Sequence, residues 1–277
     1  MLASCLQVAG LVVLAVGVIG GGRGLRFVAH SGIAGGLLLF GGVALQAVLV
    51  ALPLAERLGE PLAALLLEYL RDTRSGRFAA GQGVLALAVA TGARVAASGG
   101  HSAHRVLRAM LLLAVVLLAL AVAAAGHAGV MPGAHGRFTV ATQVVHIVCG
   151  VLWAALVVTL LLQWRAPATL RAALQRAGRQ ALPLALAVGV TGPVLAWLHG
   201  VGVEDIGSHP YGQLVAAKSI LFAVVLILAA INRFHALGAG VAAARPRMAT
   251  LLLAAEGVAL VAILALASAL AVTPPVH

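Results

Sequence analysis

An all-α, polytopic transmembrane helix bundle of eight spans is what the sequence predicts, and three observations predict it. Of its 277 residues 62% are hydrophobic and 9% charged, with a mean hydropathy of +1.11, whereas a soluble domain is apolar over about half its residues. The apolar residues are gathered into runs of about 20, the length a helix needs to cross roughly 30 Å of hydrocarbon. Short polar breaks separate these runs, and most of the arginines lie in them. The length is therefore expected to be spent on spans and not on a globular head.

The eight spans are expected at 2–22, 27–52, 78–98, 106–125, 139–163, 180–199, 212–234 and 249–271. The first has no positive residue ahead of it and no small-residue cleavage site leading into a soluble domain, so it reads as a span and not as a secretory signal. The break at 54–77 holds Glu56, Arg57, Glu60, Glu68, Arg71, Asp72, Arg74 and Arg77 around the apolar piece "PLAALLLEYL". That piece is too short to cross and is expected at the surface as an amphipathic helix. Cys5 and Cys149 both sit in apolar runs, where a structural disulfide is not expected.

Charge gives the orientation. The formal charge of +11 does not read as a nucleic-acid surface, because the arginines flank spans and no stretch mixes basic with aromatic residues. The connections after spans one, three, five and seven hold twelve arginines: Arg23, Arg26, Arg94, Arg105, Arg108, Arg165, Arg171, Arg176, Arg179, Arg233, Arg245 and Arg247. The other side holds five, Arg57, Arg71, Arg74, Arg77 and Arg137, together with six of the seven acidic residues. Positive side chains are retained in the cytoplasm, so both termini are expected outside.

An internal repeat accompanies the spans. "TRSGRFAAGQGVLALAV" from Thr73 aligns without a gap on "HPYGQLVAAKSILFAVV" from His209, pairing Gly76 with Gly212 and Gln82 with Lys218. The offset of 136 residues is about half the chain. One transmembrane domain, 1–277, is thus expected to comprise two four-span halves, 1–125 and 126–277, in parallel orientation.

The residues that could carry chemistry collect on the outer side. "GHAGVMPGAHGR" at 126–137 places His127, Met131 and His135 between two apolar runs. Imidazole with thioether suits copper better than magnesium, calcium or manganese, although an ordinary water-facing loop is the other reading. Pro132 and the glycines argue against a continuous helix there. His199, His209 and His277 fall on the same side, and His146 lies roughly 13 Å into the apolar layer, counted from Arg137 at 1.5 Å per residue. Polar side chains at that depth usually face the interior of a bundle and mark a site or pathway. In "HIVCGVLW", Cys149 and Trp153 share a helical stripe with His146, and Cys149 is either a soft ligand for Cu(I) or a packing residue. His101 and His104, among inner-side arginines, read as solvated or facing lipid headgroups. Lys218 and Glu256 are ionisable groups deep in spans seven and eight, differing in depth by roughly 9 Å. Each is costly alone and calls for a partner, water or a snorkelling stem.

Taken together, "GHA" at 126–128, "HIVCGVLWAAL" from His146, "HPYGQLVAAKSILFAVVLILAAINR" from His209, Glu256 and the ending "SALAVTPP" resemble the copper resistance protein D family of bacterial inner-membrane proteins. The similarity is closest over about 126–275, with "TRSGR" agreeing in the first half. It implies a multi-pass protein of the bacterial inner membrane, lying in the lipid bilayer, that handles copper beside a periplasmic copper-binding protein. The sequence departs from the family pattern at His209, where a threonine is usual, and at Ala154 and Ala155, where glycines are usual.

Copper transport through periplasm-facing His and Met ligands is the leading expectation. External His127, His135, His199, His209 and Met131 would capture the ion, His146 and Cys149 would receive it, and Lys218 and Glu256 would tune the charge of the path. No glycine-rich phosphate loop is present, so transport would run on a gradient, exchange or a partner. The alternatives are a redox protein carrying haem b on transmembrane histidines and an assembly factor that delivers copper without transporting it.

Overall fold

The computed structural model describes residues 1–99, 101–163, 167–237 and 246–274, without the side chains of 21, 22, 101, 127, 167–173, 175, 234–237 and 246–250. His277, Arg165 and Arg245, and the side chains of His101, His127, Arg171 and Arg247, are outside that description. The chain is 90% helical with no strand among the described residues. Its helices are α1 (Leu2–Ile19), α2 (Leu25–Leu58), α3 (Leu62–Asp72), α4 (Arg74–Ala96), α5 (His101–Ala125), α6 (Gly133–Leu161), α7 (Pro167–Leu198), α8 (Asp205–Ser208), α9 (Pro210–Leu237) and α10 (Pro246–Leu270). Eight of them, all but α3 and α8, are long and apolar enough to cross a membrane. These are the eight expected spans.

Several ends differ from the hydropathy reading because backbone capping, and not apolarity, stops a helix. α2 runs past the apolar stretch and through Pro53 to Leu58. There Gly59, at φ 68°, donates its N–H to the Ala55 carbonyl at 2.9 Å in a left-handed cap. α3 is the amphipathic segment of the long break. Its Leu62, Leu65 and Leu66 pack on Ala51 and Ala55 of α2, while Leu67 stays exposed.

Contacts divide the chain into two compact units, Met1–Val148 and Cys149–His277. In the first, α2 packs against α1, α3, α4 and α5. Small residues set the closeness of these helices: a Cβ on Gly35 would lie 2.9 Å from the Gly10 carbonyl oxygen of α1, and one on Gly36 2.6 Å from that of Ala86 of α4. Such backbone approach is how helices gain dispersion contact where lipid removes the hydrophobic drive. In the second unit Trp153 of α6 is 5% exposed and packs with Ala185 of α7, Val225 of α9 and Ile263 of α10. Phe222 meets the Trp153 ring edge-to-face, 5.4 Å between centroids.

The repeated segments form the same local corner. Thr73 Oγ1 accepts from Gly76 N at 2.9 Å and opens α4, and His209 Nδ1 accepts from Tyr211 N at 3.2 Å at the start of α9. Thr73 N donates to the Tyr69 carbonyl at 3.3 Å, and His209 N to that of Asp205 at 3.0 Å. A Cβ on Gly76 would overlap the Tyr69 carbonyl, and one on Gly212 the Asp205 carbonyl. Tyr69 and Asp205, Thr73 and His209, and Gly76 and Gly212 are each 136 residues apart.

Candidate functional site

The loop ahead of α6 is broken in the way Pro132 and its glycines require. His127–Val130 is a single 3₁₀ turn, Met131 is extended (φ −68°, ψ 134°), and Gly133, at φ 66°, opens α6. His127, Met131 and His135 therefore sit on three successive local structures instead of one helical face. Arg74, from the first turn of α4, holds this loop: its Nη2 donates to the Ala124 carbonyl at 3.1 Å and to the Gly129 carbonyl. Sequence reasoning placed Arg74 among topology charges and missed this role. Arg74→Ala is expected to speed amide exchange throughout 126–131 while leaving α9 and α10 protected, as hydrogen exchange read by mass spectrometry would report.

α6 carries the polar row that leads inward. His135, Thr139, Thr142, His146, Cys149 and Trp153 follow one another at spacings of four and three, which is one face of a helix. The His135 and Met131 ends are exposed and half-buried, Thr139 is 0% exposed, Thr142 is buried, and His146 and Cys149 are half-buried. Thr139 and Thr142 hydroxyls donate to the His135 and Phe138 carbonyls at 2.9 Å, which satisfies their protons within the helix. Both threonines escaped the sequence reading, although their spacing from His146 was the signal. His135 and His146 are eleven residues apart, about 16 Å of helix. Cys5 and Cys149 are free thiols.

In the second unit His199 is 6% exposed at the end of α7. Its Nδ1 lies 2.7 Å from the Leu195 carbonyl, which fixes that nitrogen as the N–H donor. The Tyr211 ring stacks on it at 6.3 Å and 30°. Because His209 uses Nδ1 to accept from Tyr211 N, its Nε2 is the nitrogen left to a metal. A cavity of about 360 Å³ beside this corner is lined by Ala196, Val201, Val215, Ala216 and Ile220 among others and adds no imidazole.

Lys218 is half-buried on α9, whereas Glu256 of α10 is buried against Asn232 at the other end of α9. Asn232 Nδ2 donates to Glu256 Oε1 at 3.0 Å. Asn232 follows Lys218 by fourteen residues, about 21 Å of helix, so the two ionisable groups are further apart than the roughly 9 Å expected from span depth. Depth counting assumed that both spans begin at the membrane edge, and the helix pairing overrides it. Asn232 was the missing partner, and an asparagine inside an apolar run was its signal. His104, expected to be solvated or to face lipid headgroups, is half-buried with a shielded Nε2 that has no hydrogen-bond partner. Among the described residues no three His, Cys, Asp or Glu side chains group closely enough to hold a metal.

Eight helices long and apolar enough to cross a membrane define a polytopic helical membrane protein. Residues 171–270, from α7 to the end of α10, match the family model described as Copper resistance protein D. The match covers 100 of the 277 residues and agrees with the resemblance of the sequence to that family. His199, His209, Lys218, Asn232 and Glu256 fall inside the match, and His127, Met131, His135, His146 and Cys149 precede it. No match was found to a curated protein or to a solved structure.

Proposed function

We propose that the protein carries copper across the bacterial inner membrane, taking the ion from the periplasmic side, where both termini lie. The observation that carries this reading is the row on α6, in which two imidazoles and a thiol are spaced along one face that runs from an exposed first turn into the span. Imidazole, thioether and thiol donors are the soft set that copper prefers. His127, Met131 and His135 gather the ion at the mouth, and His146 and Cys149 receive it deeper in. His199 and His209 supply imidazoles at the corner of the other unit. Lys218 and Glu256 tune the charge along the path, Glu256 by taking up or giving up a proton. The two matching corners at Thr73 and His209 support a parallel pair of four-span halves, 1–125 and 126–277. A small periplasmic copper-binding protein is the expected donor.

The test is copper accumulation in sealed vesicles of defined orientation. Wild-type protein is expected to raise internal copper above protein-free vesicles, and His127→Ala and His146→Ala to abolish the increase. Binding without accumulation would turn the reading to a copper-delivery factor. A strong Soret absorption in the purified protein would instead establish the haem alternative.

A further inference from the structure

We propose that Glu256 and Asn232 form a proton-binding site, in which Glu256 is a carboxylic acid closed into a two-hydrogen-bond ring with the Asn232 carboxamide. The observations are local to α9 and α10 and do not depend on copper binding. Glu256 is 4% exposed and Asn232 2%. Asn232 Nδ2 donates to Glu256 Oε1 at 3.0 Å, and Asn232 Oδ1 is shielded from solvent with no hydrogen-bond donor.

A buried acceptor without a donor is costly, and so is a buried carboxylate with a single neutral donor. One proton answers both costs. A carboxylic acid has one O–H to give and a carbonyl oxygen to accept with, the complement of a primary amide. With the proton on Oε2, that O–H donates to Oδ1 while Nδ2–H continues to donate to Oε1. Turning the amide by half a rotation would set Oδ1 against Oε1, two acceptors that again need a proton between them. Two oxygens are too few for a sodium- or calcium-like cation, since calcium takes 6–8 oxygen ligands.

No cation among the described residues takes over the role of the proton. Arg233, next to Asn232 on α9, directs its Nη1 to the Gly178 carbonyl of α7 at 2.8 Å. Arg176 and Arg179 of α7 are exposed, and Lys218 lies about 21 Å away along α9. On α6 the neighbour at this level is Leu161, 2.8 Å from where a Cβ on Gly257 would be. The side chains of His235 and Arg247 are outside the described set.

Infrared difference spectroscopy on the full chain in lipid vesicles at neutral pH tests the site. Wild type minus Glu256→Gln is expected to give the carbonyl stretch of one protonated carboxylic acid, sensitive to deuterium oxide. Glutamine can form the same ring with Asn232, so this variant keeps the packing and loses only the titratable proton. Asn232→Leu is expected to move the band to the frequency of a carbonyl without hydrogen bonds. Should Glu256→Gln not fold, the wild-type spectrum alone decides, because Glu256 is the one buried acidic side chain among the described residues. A wild-type spectrum without a protonated-carboxyl band, or one identical to that of Glu256→Gln in this region, overturns the proposal.

Discussion

Replacing His146 with alanine is expected to weaken copper binding by the purified protein by about 100-fold or more. Changes to groups that merely orient a ligand already cost 10–100-fold, and His146 is the imidazole furthest along the α6 row. Competition against a chromogenic Cu(I) chelator measures it. His104→Ala, on α5 and outside the row, is the matched control and is expected to leave affinity unchanged. Near-ultraviolet dichroism, to which buried Trp153 against Phe222 contributes, checks that both variants keep the second unit packed. Equal affinity in wild type and His146→Ala would remove this residue from the path.

The second large effect is structural. Gly76→Ala and Gly212→Ala each drive a methyl into a backbone carbonyl, of Tyr69 and Asp205 respectively. A carbonyl fixed in a helix cannot rotate aside as a side chain can. Each substitution is expected to cost roughly 1–3 kcal/mol, the range for forced overpacking, read as a lowered unfolding midpoint in detergent. Gly81→Ala is the counterpart: it sits within α4 with nothing within 4 Å of its added Cβ. There the better helix propensity of alanine, worth up to about 1 kcal/mol, is expected to show as a neutral or raised midpoint. Loss at one corner with no loss at the other would separate the two segments that the 136-residue offset aligns.

What could be read from the chain divides along physical lines. Span number follows from hydropathy summed over about 20 residues, so all eight appear, and α3 appears because its apolar run is too short to cross. Helix ends depend on single caps, and Gly59 carries α2 beyond Leu52 for that reason. The break at Met131 and Gly133 was legible because proline and glycine act locally. The partners of Glu256 and Arg74 were not. Asn232 precedes Glu256 by 24 residues and Arg74 reaches Gly129 across 55, and no periodicity within one helix reports which neighbour a side chain meets. Thr139 and Thr142 were visible as letters, but a threonine becomes part of a polar row only when the helix phase through His146 is followed back to His135. His104 shows the limit from the other side, since adjacent arginines in sequence do not guarantee that an imidazole is wet.

X-ray absorption at the copper edge, on protein loaded with copper and freed of excess by desalting, tests most directly that imidazole and sulfur donors of this chain hold the ion. The expected spectrum shows bound copper with the multiple scattering of imidazole rings and a sulfur shell that disappears in Cys149→Ser combined with Met131→Leu. No retained copper, or a shell of oxygen atoms alone, would contradict it.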